Sequence, residues 1–133
     1  MTQAEVVARL SDRPYMTKRC ISVLPLYNDG GAAYLSSITE GSERIGIVHV
    51  YIWDKEAKGK PEVGKMAARR FLTDHRLDRL ACEIDADNDL AIGFARKVGF
   101  HDVGILRRLK DDTGRKRDVL LMDAMPEDLY GRR

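Results

Sequence analysis

The sequence has few of the features that mark secreted, membrane or metal-binding chains. Its two cysteines, Cys20 and Cys82, both lie in alternating apolar stretches. We therefore expect buried free thiols, with neither a disulfide framework nor a zinc site. No stretch, including the first residues, is apolar for long enough to suggest a signal peptide or a membrane span. A cytoplasmic location with no membrane partner and no bound metal is the resulting prediction.

The chain also has no large excess of charge of one sign. Its 23 basic residues nearly balance 21 acidic ones, and aromatic residues make up only 7%. Nucleic acid is therefore an unlikely partner, because neither a strongly basic surface nor a stacking pattern is present. One local basic group stands out, and we interpret it as the solvated face of a hairpin. It consists of Arg107, Arg108, Lys110, Arg115, Lys116 and Arg117.

What the chain does contain is typical of one globular domain. It has 133 residues, of which 44% are apolar and 33% are charged. That length suits a single domain, and that composition suits a packed core and not a disordered chain. We predict one domain over 1–133, without internal repeats.

Short-range patterns in the first half predict one helix and three strands. Residues 3–10 have helical spacing of apolar positions. Residues 18–26 have the β-branched centre of a strand, broken at Pro25. Two further strands, 33–40 and 44–53, flank a Gly-Ser turn and predict a hairpin. Both faces of 44–53 are largely apolar, which is typical of a central strand.

The next stretch predicts a helix followed by a strand. Residues 61–75 begin with Pro61, which suits a first helical position, and Glu62 suits the positive end of the helix dipole. Residues 79–87 alternate and predict a strand with one polar face. The inward stripe expected for the helix consists of Val63, Met66, Ala67, Arg70 and Phe71.

A second helix and a second hairpin complete the pattern. Asn88 is a good N-cap, and Gly99 is a good stop for the helix that follows it. The expected inward stripe of this helix is Leu90, Ala91, Phe94 and Val98. Residues 101–110 and 115–125 predict a hairpin. The last eight residues are expected to form a tail.

The order of these elements predicts a mixed α/β fold with a βαβ crossover. The strands 44–53 and 79–85, joined through a helix, should be parallel neighbours. The fold class is therefore α/β of the mixed α+β kind, with a central mixed sheet and helices on both faces.

The stretch from Asn88 to Phe100 carries a resemblance to a known family. The pattern Asn88-x-x-Ala91-x-x-Phe94, then Lys97-x-Gly99-Phe100, follows a strand and precedes a hairpin. This ordered set resembles the second half of the GNAT acyltransferase superfamily over about 44–124. The resemblance implies a GNAT-like sheet, shortened at its N-terminus. The chain also resembles the short GNAT-like proteins that occur in bacteriophage genomes.

The resemblance implies that acetyl-CoA binds where two parallel strands part. The strands would be 44–53 and 79–85, and the start of the 61–75 helix would offer free N–H groups to the pyrophosphate. A plain capped helix with a lysine-rich approach is the alternative. The residues to which the resemblance gives a cofactor-binding role are Ile52, Trp53, Lys58, Gly59, Lys60, Gly64, Lys65, Asn88, Phe94 and Lys97.

Two positions depart from the family pattern. The family loop has the form Gln/Arg-x-x-Gly-x-Gly/Ala, whereas 58–64 reads Lys-Gly-Lys-Pro-Glu-Val-Gly. Many family members carry a Tyr just after the position of Phe94 as the general acid. Ala95 stands there instead, so the usual acid is missing. The predicted activity is transfer of an acetyl group to an amine. The alternative is a GNAT-fold protein without transferase activity.

Three residues are weak substitutes for the catalytic groups. His49 and Tyr51 share one face of the strand 44–53, near the expected parting, and Glu83 lies on the polar face of the next strand. Each is also an ordinary strand residue in the alternative reading. The amine acceptor is unknown. A homodimer is expected because a second copy can complete an exposed sheet edge or an open pocket.

Overall fold

The structure is a computed structural model of the chain, and it describes residues 21–26, 31–52, 61–110 and 113–130. The predicted helix at 3–10 and Cys20 lie outside these residues. Trp53, Lys58, Gly59 and Lys60 lie outside them as well. From residue 21 to residue 124, the order of the described strands and helices is the order that the sequence predicts.

A six-stranded mixed sheet forms the centre of the protein. The strands are β1 (Ser22–Leu26), β2 (Gly31–Glu40), β3 (Arg44–Ile52), β4 (Arg79–Asp85), β5 (His101–Lys110) and β6 (Lys116–Ala124). Their spatial order is β1-β2-β3-β4-β6-β5, and all neighbours are antiparallel except β3 and β4, which are parallel. Both predicted hairpins and the predicted parallel pair are confirmed.

Three helices are described, and they pack against one face of the sheet. They are α1 (Pro61–Asp74), α2 (Asp89–Val98) and α3 (Pro126–Tyr130). Ala67, Phe71 and Ile92 join Leu35 and Met122 in a single buried cluster. The sheet residues of this cluster all fall on the same side, because neighbouring positions alternate along a strand. The mixed α/β class is confirmed. The described helices cover the face of the sheet on which Leu80 lies.

The predicted inward stripes of both main helices need correction. In α1 the buried residues are Gly64, Ala67, Ala68, Phe71 and Leu72. Met66 and Arg70 are exposed, although the sequence predicted both to face inward. In α2 the buried residues are Ile92, Ala95 and Val98. Leu90 is 82% exposed and does not belong to the core.

The expected tail is also wrong, because residues 126–130 form α3. Pro126 opens this helix, and the Asp128 carboxylate accepts a hydrogen bond from the Met125 N–H at 2.8 Å. Leu129 is buried, and its carbonyl accepts a 2.7 Å hydrogen bond from Nε of Arg69. The short helix is therefore a docked part of the core.

Pro25 does not break its strand. It lies within β1, opposite Ala32 of β2. A proline is tolerated there because β1 is the terminal strand among the described residues, so on one side it has no ladder hydrogen bonds to another described strand.

Candidate functional site

The parallel strands β3 and β4 pair over a short distance and then part. Their ladder consists of three pairs, Ile45 with Arg79, Gly46 with Leu80 and Ile47 with Ala81. Beyond Ile47, β3 continues to Ile52 beside β2, and β4 continues to Asp85 beside β6. A gap therefore opens between the carboxyl ends of the two strands. The predicted parting of the strands is confirmed.

The paired end of the two strands is held by packing and by charge. A side chain on Gly46 would lie 2.6 Å from Leu77 and 2.8 Å from Leu35, so glycine allows both leucines to cover the strand. The Arg79 guanidinium donates to Glu43 at 2.8 Å and to Asp123 at 2.9 Å. Each contact ties β4 to a neighbouring segment of the sheet, and together they close this end.

Helix α2 starts at the open end, directly after β4. The Asn88 side-chain oxygen accepts a hydrogen bond from the Ala91 N–H at 3.2 Å, so Asn88 is the N-cap of α2. This confirms the predicted cap. The side chain is exposed, so the amide NH2 group at its other end is accessible to a ligand acceptor.

Helix α1 crosses α2 at a glycine contact. A side chain on Gly64 would lie 2.9 Å from Cζ of Phe94 and 3.1 Å from Val98. Gly64 is buried, and Phe94 packs partly buried against the core. The absence of a side chain at Gly64 therefore has a clear packing reason, which is the close approach of α2.

The remaining described residues of the implied cofactor site are Ile52, Lys65 and Lys97, and they do not all lie together. Lys65 lies in the first turns of α1, and Ile52 is the last residue of β3. Lys97, by contrast, is in the last turn of α2, about 13 Å along the helix from Asn88. The structure does not bring Lys97 together with Asn88.

His49 lies in β3 beyond the last pair with β4, on the face opposite the helices. Its ring stacks on Tyr34 with centroids 4.5 Å apart, and Ser36 Oγ lies 2.9 Å from Nε2. Burial lowers the pKa of His49 to about 4 because it disfavours the imidazolium. The imidazole is therefore neutral near pH 7. The sequence reasoning missed both Tyr34 and Ser36.

Glu83 lies on the other side of the gap, on the same sheet face as His49. The register makes this plain, because Ile47 faces Ala81 and the next same-face positions are His49 and Glu83. Glu83 is exposed. Tyr51 lies in the same unpaired part of β3. The parting of the strands thus leaves the His49 imidazole on one side of the gap and the Glu83 carboxylate on the other.

Ala95, at the position of the family's acid, is buried in the cluster between α2 and the sheet. Its carbonyl accepts hydrogen bonds from the N–H groups of Gly99 and Phe100 at 3.1 and 3.0 Å. Its side chain carries no proton donor, so any acid must come from elsewhere.

Three apolar side chains are exposed on the elements that flank the open end. They are Val50 in the unpaired part of β3, Met66 in the second turn of α1 and Leu90 in the first turn of α2. Exposed apolar groups near a gap are common in ligand sites, since a ligand can cover them. Within the described ranges, no three His, Cys, Asp or Glu side chains gather as metal ligands would, and no helix is long and apolar enough to cross a membrane.

No protein-family model and no curated protein matches the chain. Solved structures do match it, and they include the following three. A chimera of the Vibrio cholerae spermidine N-acetyltransferase SpeG and hSSAT superposes with a TM-score of 0.66 at 21% identity, over 77% of this chain and 61% of that chain. Mycobacterium smegmatis RimJ in complex with CoA-disulfide gives a TM-score of 0.64 at 24% identity, over 74% and 48%. SpeG in complex with CoA and spermine gives 0.63 at 21%, over 75% and 60%.

The chain spans about three fifths or less of the length of these solved structures. Their similarity extends to the backbone architecture, and at such low identity it concerns the fold alone. The GNAT fold that the resemblance implied is therefore the fold of this chain.

Proposed function

We propose that the protein is an acetyl-CoA-dependent N-acetyltransferase that transfers an acetyl group to an amine. The observation that carries the proposal is the parting of β3 and β4 after three residue pairs. The gap opens at the carboxyl ends of parallel strands, where α/β sheets commonly bind their ligands. RimJ and SpeG, which share the fold, are described in complex with CoA-disulfide and with CoA and spermine.

The gap suits an extended ligand that carries amide groups. Where β3 and β4 part, each strand has a backbone edge that faces the gap without a partner from the other strand. An extended amide chain can hydrogen-bond to such an edge as an added strand would. The pantetheine arm of CoA is such a chain, and the exposed side chains of Val50 and Leu90 can cover its methylene groups. The amide NH2 of Asn88 is a further donor to it.

We assign the phosphates of the cofactor to the start of α1. The first N–H groups of a helix have no partner within it, and its positive dipole end favours anions. Lys65 lies in this part of α1. Lys58, Gly59 and Lys60 are expected to add to the same site.

The reaction needs a proton acceptor for the amine and a donor for the leaving thiolate. The amine nitrogen attacks the thioester carbon, the carbon–sulfur bond breaks, and the nitrogen loses one proton while the sulfur gains one. His49 is a weak acceptor, because its pKa of about 4 leaves the imidazolium unstable. Glu83 is exposed to water on the same face of the sheet, and we propose that it takes the proton through water and that Tyr51 protonates the thiolate in place of the acid absent at Ala95.

Calorimetric titration with acetyl-CoA tests the cofactor part of this proposal. We expect binding, and we expect Lys65→Glu to weaken acetyl-CoA about tenfold while leaving acetyl-pantetheine, which lacks the pyrophosphate, unchanged. Arg70→Glu, an equal charge change further along α1, is the control and should affect acetyl-CoA much less. If Lys65→Glu weakens both ligands equally, the phosphate assignment is wrong, and absence of acetyl-CoA binding ends the enzyme proposal.

An assay of released thiol over a panel of amines then tests the transfer. Glu83→Gln should lower kcat, and Tyr51→Phe should lower it as well, with cofactor binding retained in both. If neither variant lowers kcat, the roles proposed for Glu83 and Tyr51 are wrong.

A second candidate function is a GNAT-fold accessory protein without transferase activity, of the kind that phages encode. The buried Ala95, with no hydroxyl at the acid position, favours it. It predicts no thiol release with any amine, whether or not acetyl-CoA binds. A cytoplasmic location remains a prediction under both functions.

A further inference from the structure

The edge strand β5 is exposed along its whole length, on both faces. Every residue of it except Leu109 is exposed. The exposed residues include three large apolar ones, Val103 at 61%, Ile105 at 59% and Leu106 at 41%. Ile105 pairs with buried Leu120 on the helix face, and Leu106 pairs with buried Val119 on the other face. Two parts of the core thus continue outward to a strand that nothing in the described chain covers.

The two edges of the sheet differ in how open they are to another strand. At the β1 edge, Pro25 lacks an N–H and shortens any ladder that a further strand could form. The β5 edge carries no proline. Its two irregularities, between Asp102 and Gly104 and between Leu106 and Leu109, leave Gly104–Leu106 as a regular segment between them.

We propose that β5 binds β5 of a second copy of this chain, antiparallel, with the two-fold axis at Ile105. In this register Ile105 faces its own copy on the helix face of the sheet. Gly104 faces Leu106 of the partner copy on the other face. A side chain added to Gly104 would meet no atom within 4 Å, so there is room above it for the isobutyl group of a leucine. A two-fold arrangement uses this fit twice.

The charges of β5 favour a second copy over an arbitrary apolar strand. Asp102 lies toward one end of the strand, and Arg107 and Arg108 lie toward the other. Antiparallel pairing about Ile105 brings Asp102, which also binds Arg96 at 2.6 Å, beside the basic end of the partner copy and keeps the arginine pairs of the two copies apart. Parallel pairing would instead place the arginines of both copies side by side. An open hollow of about 690 Å³ next to Ile105, Leu106, Arg107, Arg108 and Asp118 leaves space for the partner's side chains.

The regular segment is short, so the dimer is expected to be reversible and to dissociate on dilution. A contact of this size falls among weak interfaces, which bury less than about 1,200 Å². The inference concerns an edge away from the gap between β3 and β4. It does not depend on cofactor binding or on acetyl transfer, so its failure would leave the proposed function untouched.

Cysteine cross-linking tests the register. In an antiparallel pair, directly opposed residues come within the reach of a disulfide. Ile105→Cys should therefore give a disulfide-linked dimer under mild oxidation, whereas wild type and Leu90→Cys, exposed at another surface, should stay monomeric on non-reducing gels. Equal cross-linking of Leu90→Cys, or none of Ile105→Cys, would overturn the proposal.

Sedimentation over a dilution series tests the surface without a new thiol. Ile105→Lys should raise the dissociation constant at least tenfold, by about the amount that an interface hot spot contributes. Gly104→Val should do the same by filling the space for the partner's Leu106, and it should leave the fold intact because that space is empty within the monomer. Circular dichroism checks the fold of both variants. A wild-type protein that is monomeric throughout, or variants that dimerise as wild type does, would contradict the inference.

Discussion

The two ends of the β3–β4 pair are opposites. At the paired end, Leu80 is fully buried and Arg79 is bound by two carboxylates, and Gly46 allows leucines to lie directly on the strand. At the parted end, Val50 and Leu90 are exposed and Asn88 offers an amide to solvent. One pair of strands thus supplies folding free energy at one end and, at the other, exposed groups to which the proposed cofactor could bind.

This division explains how a small domain can keep a gap in its sheet. Separating two strands costs the ladder hydrogen bonds and the packing that would lie between them. Here β2 and β6 retain the outer hydrogen bonds of the parted strands, and the core on the helix face continues beneath the paired end. Substitutions at the two ends should therefore have different effects.

The largest difference should come from one substitution made at each end. Leu80→Ala removes a fully buried side chain and should lower the free energy of unfolding by about 3 kcal/mol. Leu90→Ala, at the open end, should change it by less than about 0.5 kcal/mol. Urea denaturation of both variants measures the contrast. Similar losses for the two would mean that the open end contributes to the core after all.

The pH dependence of stability should report on His49. Its pKa is about 4 in the folded protein against an ordinary 6.5, so between these values the unfolded chain binds more protons. Stability should therefore be full above about pH 6.5 and fall as the pH drops toward 4, by up to about 3 kcal/mol. His49→Gln should show a shallower decline over that window. An unchanged slope in the variant would mean that His49 is not the group responsible.

The crossing of the two helices should show a smaller effect. Gly64→Val would place atoms against Phe94 and Val98 and should cost about 2 kcal/mol, in the absence of any ligand. Gly93→Val is the matched control, because a side chain at Gly93 meets nothing within 4 Å. The control should be neutral or slightly stabilising. Thermal melts compare the two, and a neutral Gly64→Val would contradict the packing role.

The smallest effect should be the loss of the α2 cap. Asn88→Ala should lower stability by about 1 kcal/mol, while Asn88→Asp should retain it, since a carboxylate also accepts the Ala91 N–H. Both variants lose the amide donor, so both should bind acetyl-CoA more weakly. If Asn88→Asp binds acetyl-CoA as tightly as wild type does and only Asn88→Ala is weakened, Asn88 acts only as a cap.

Much of this architecture was predictable from local patterns. Alternation gave the strands, and Asn88 and Gly99 gave the ends of α2. The parting of the strands came from the family resemblance, because nothing in the periodicity of β3 or β4 indicates where a ladder stops. The position of β6 between β4 and β5 likewise depends on pairing between segments that are distant in the sequence, which local patterns do not predict.

The errors have physical causes. Met66 and Leu90 fit helical stripes, yet both are exposed, and no described element covers them. The contact of His49 with Tyr34 depends on a bulge at Ser36. Pairing counted from the hairpin turn would place Leu35 opposite His49, and the extra residue moves Tyr34 there instead. A bulge is not visible in the sequence pattern.

The exposure of Met66 and Leu90 has a consequence for the history of this fold. Exposed residues that do not support the core are free to vary, because their replacement costs little stability. Selection can then change the outer surfaces of both helices while the paired end of β3 and β4 stays fixed. The tolerance of the protein to mutation is in this sense concentrated away from the residues that hold its sheet together.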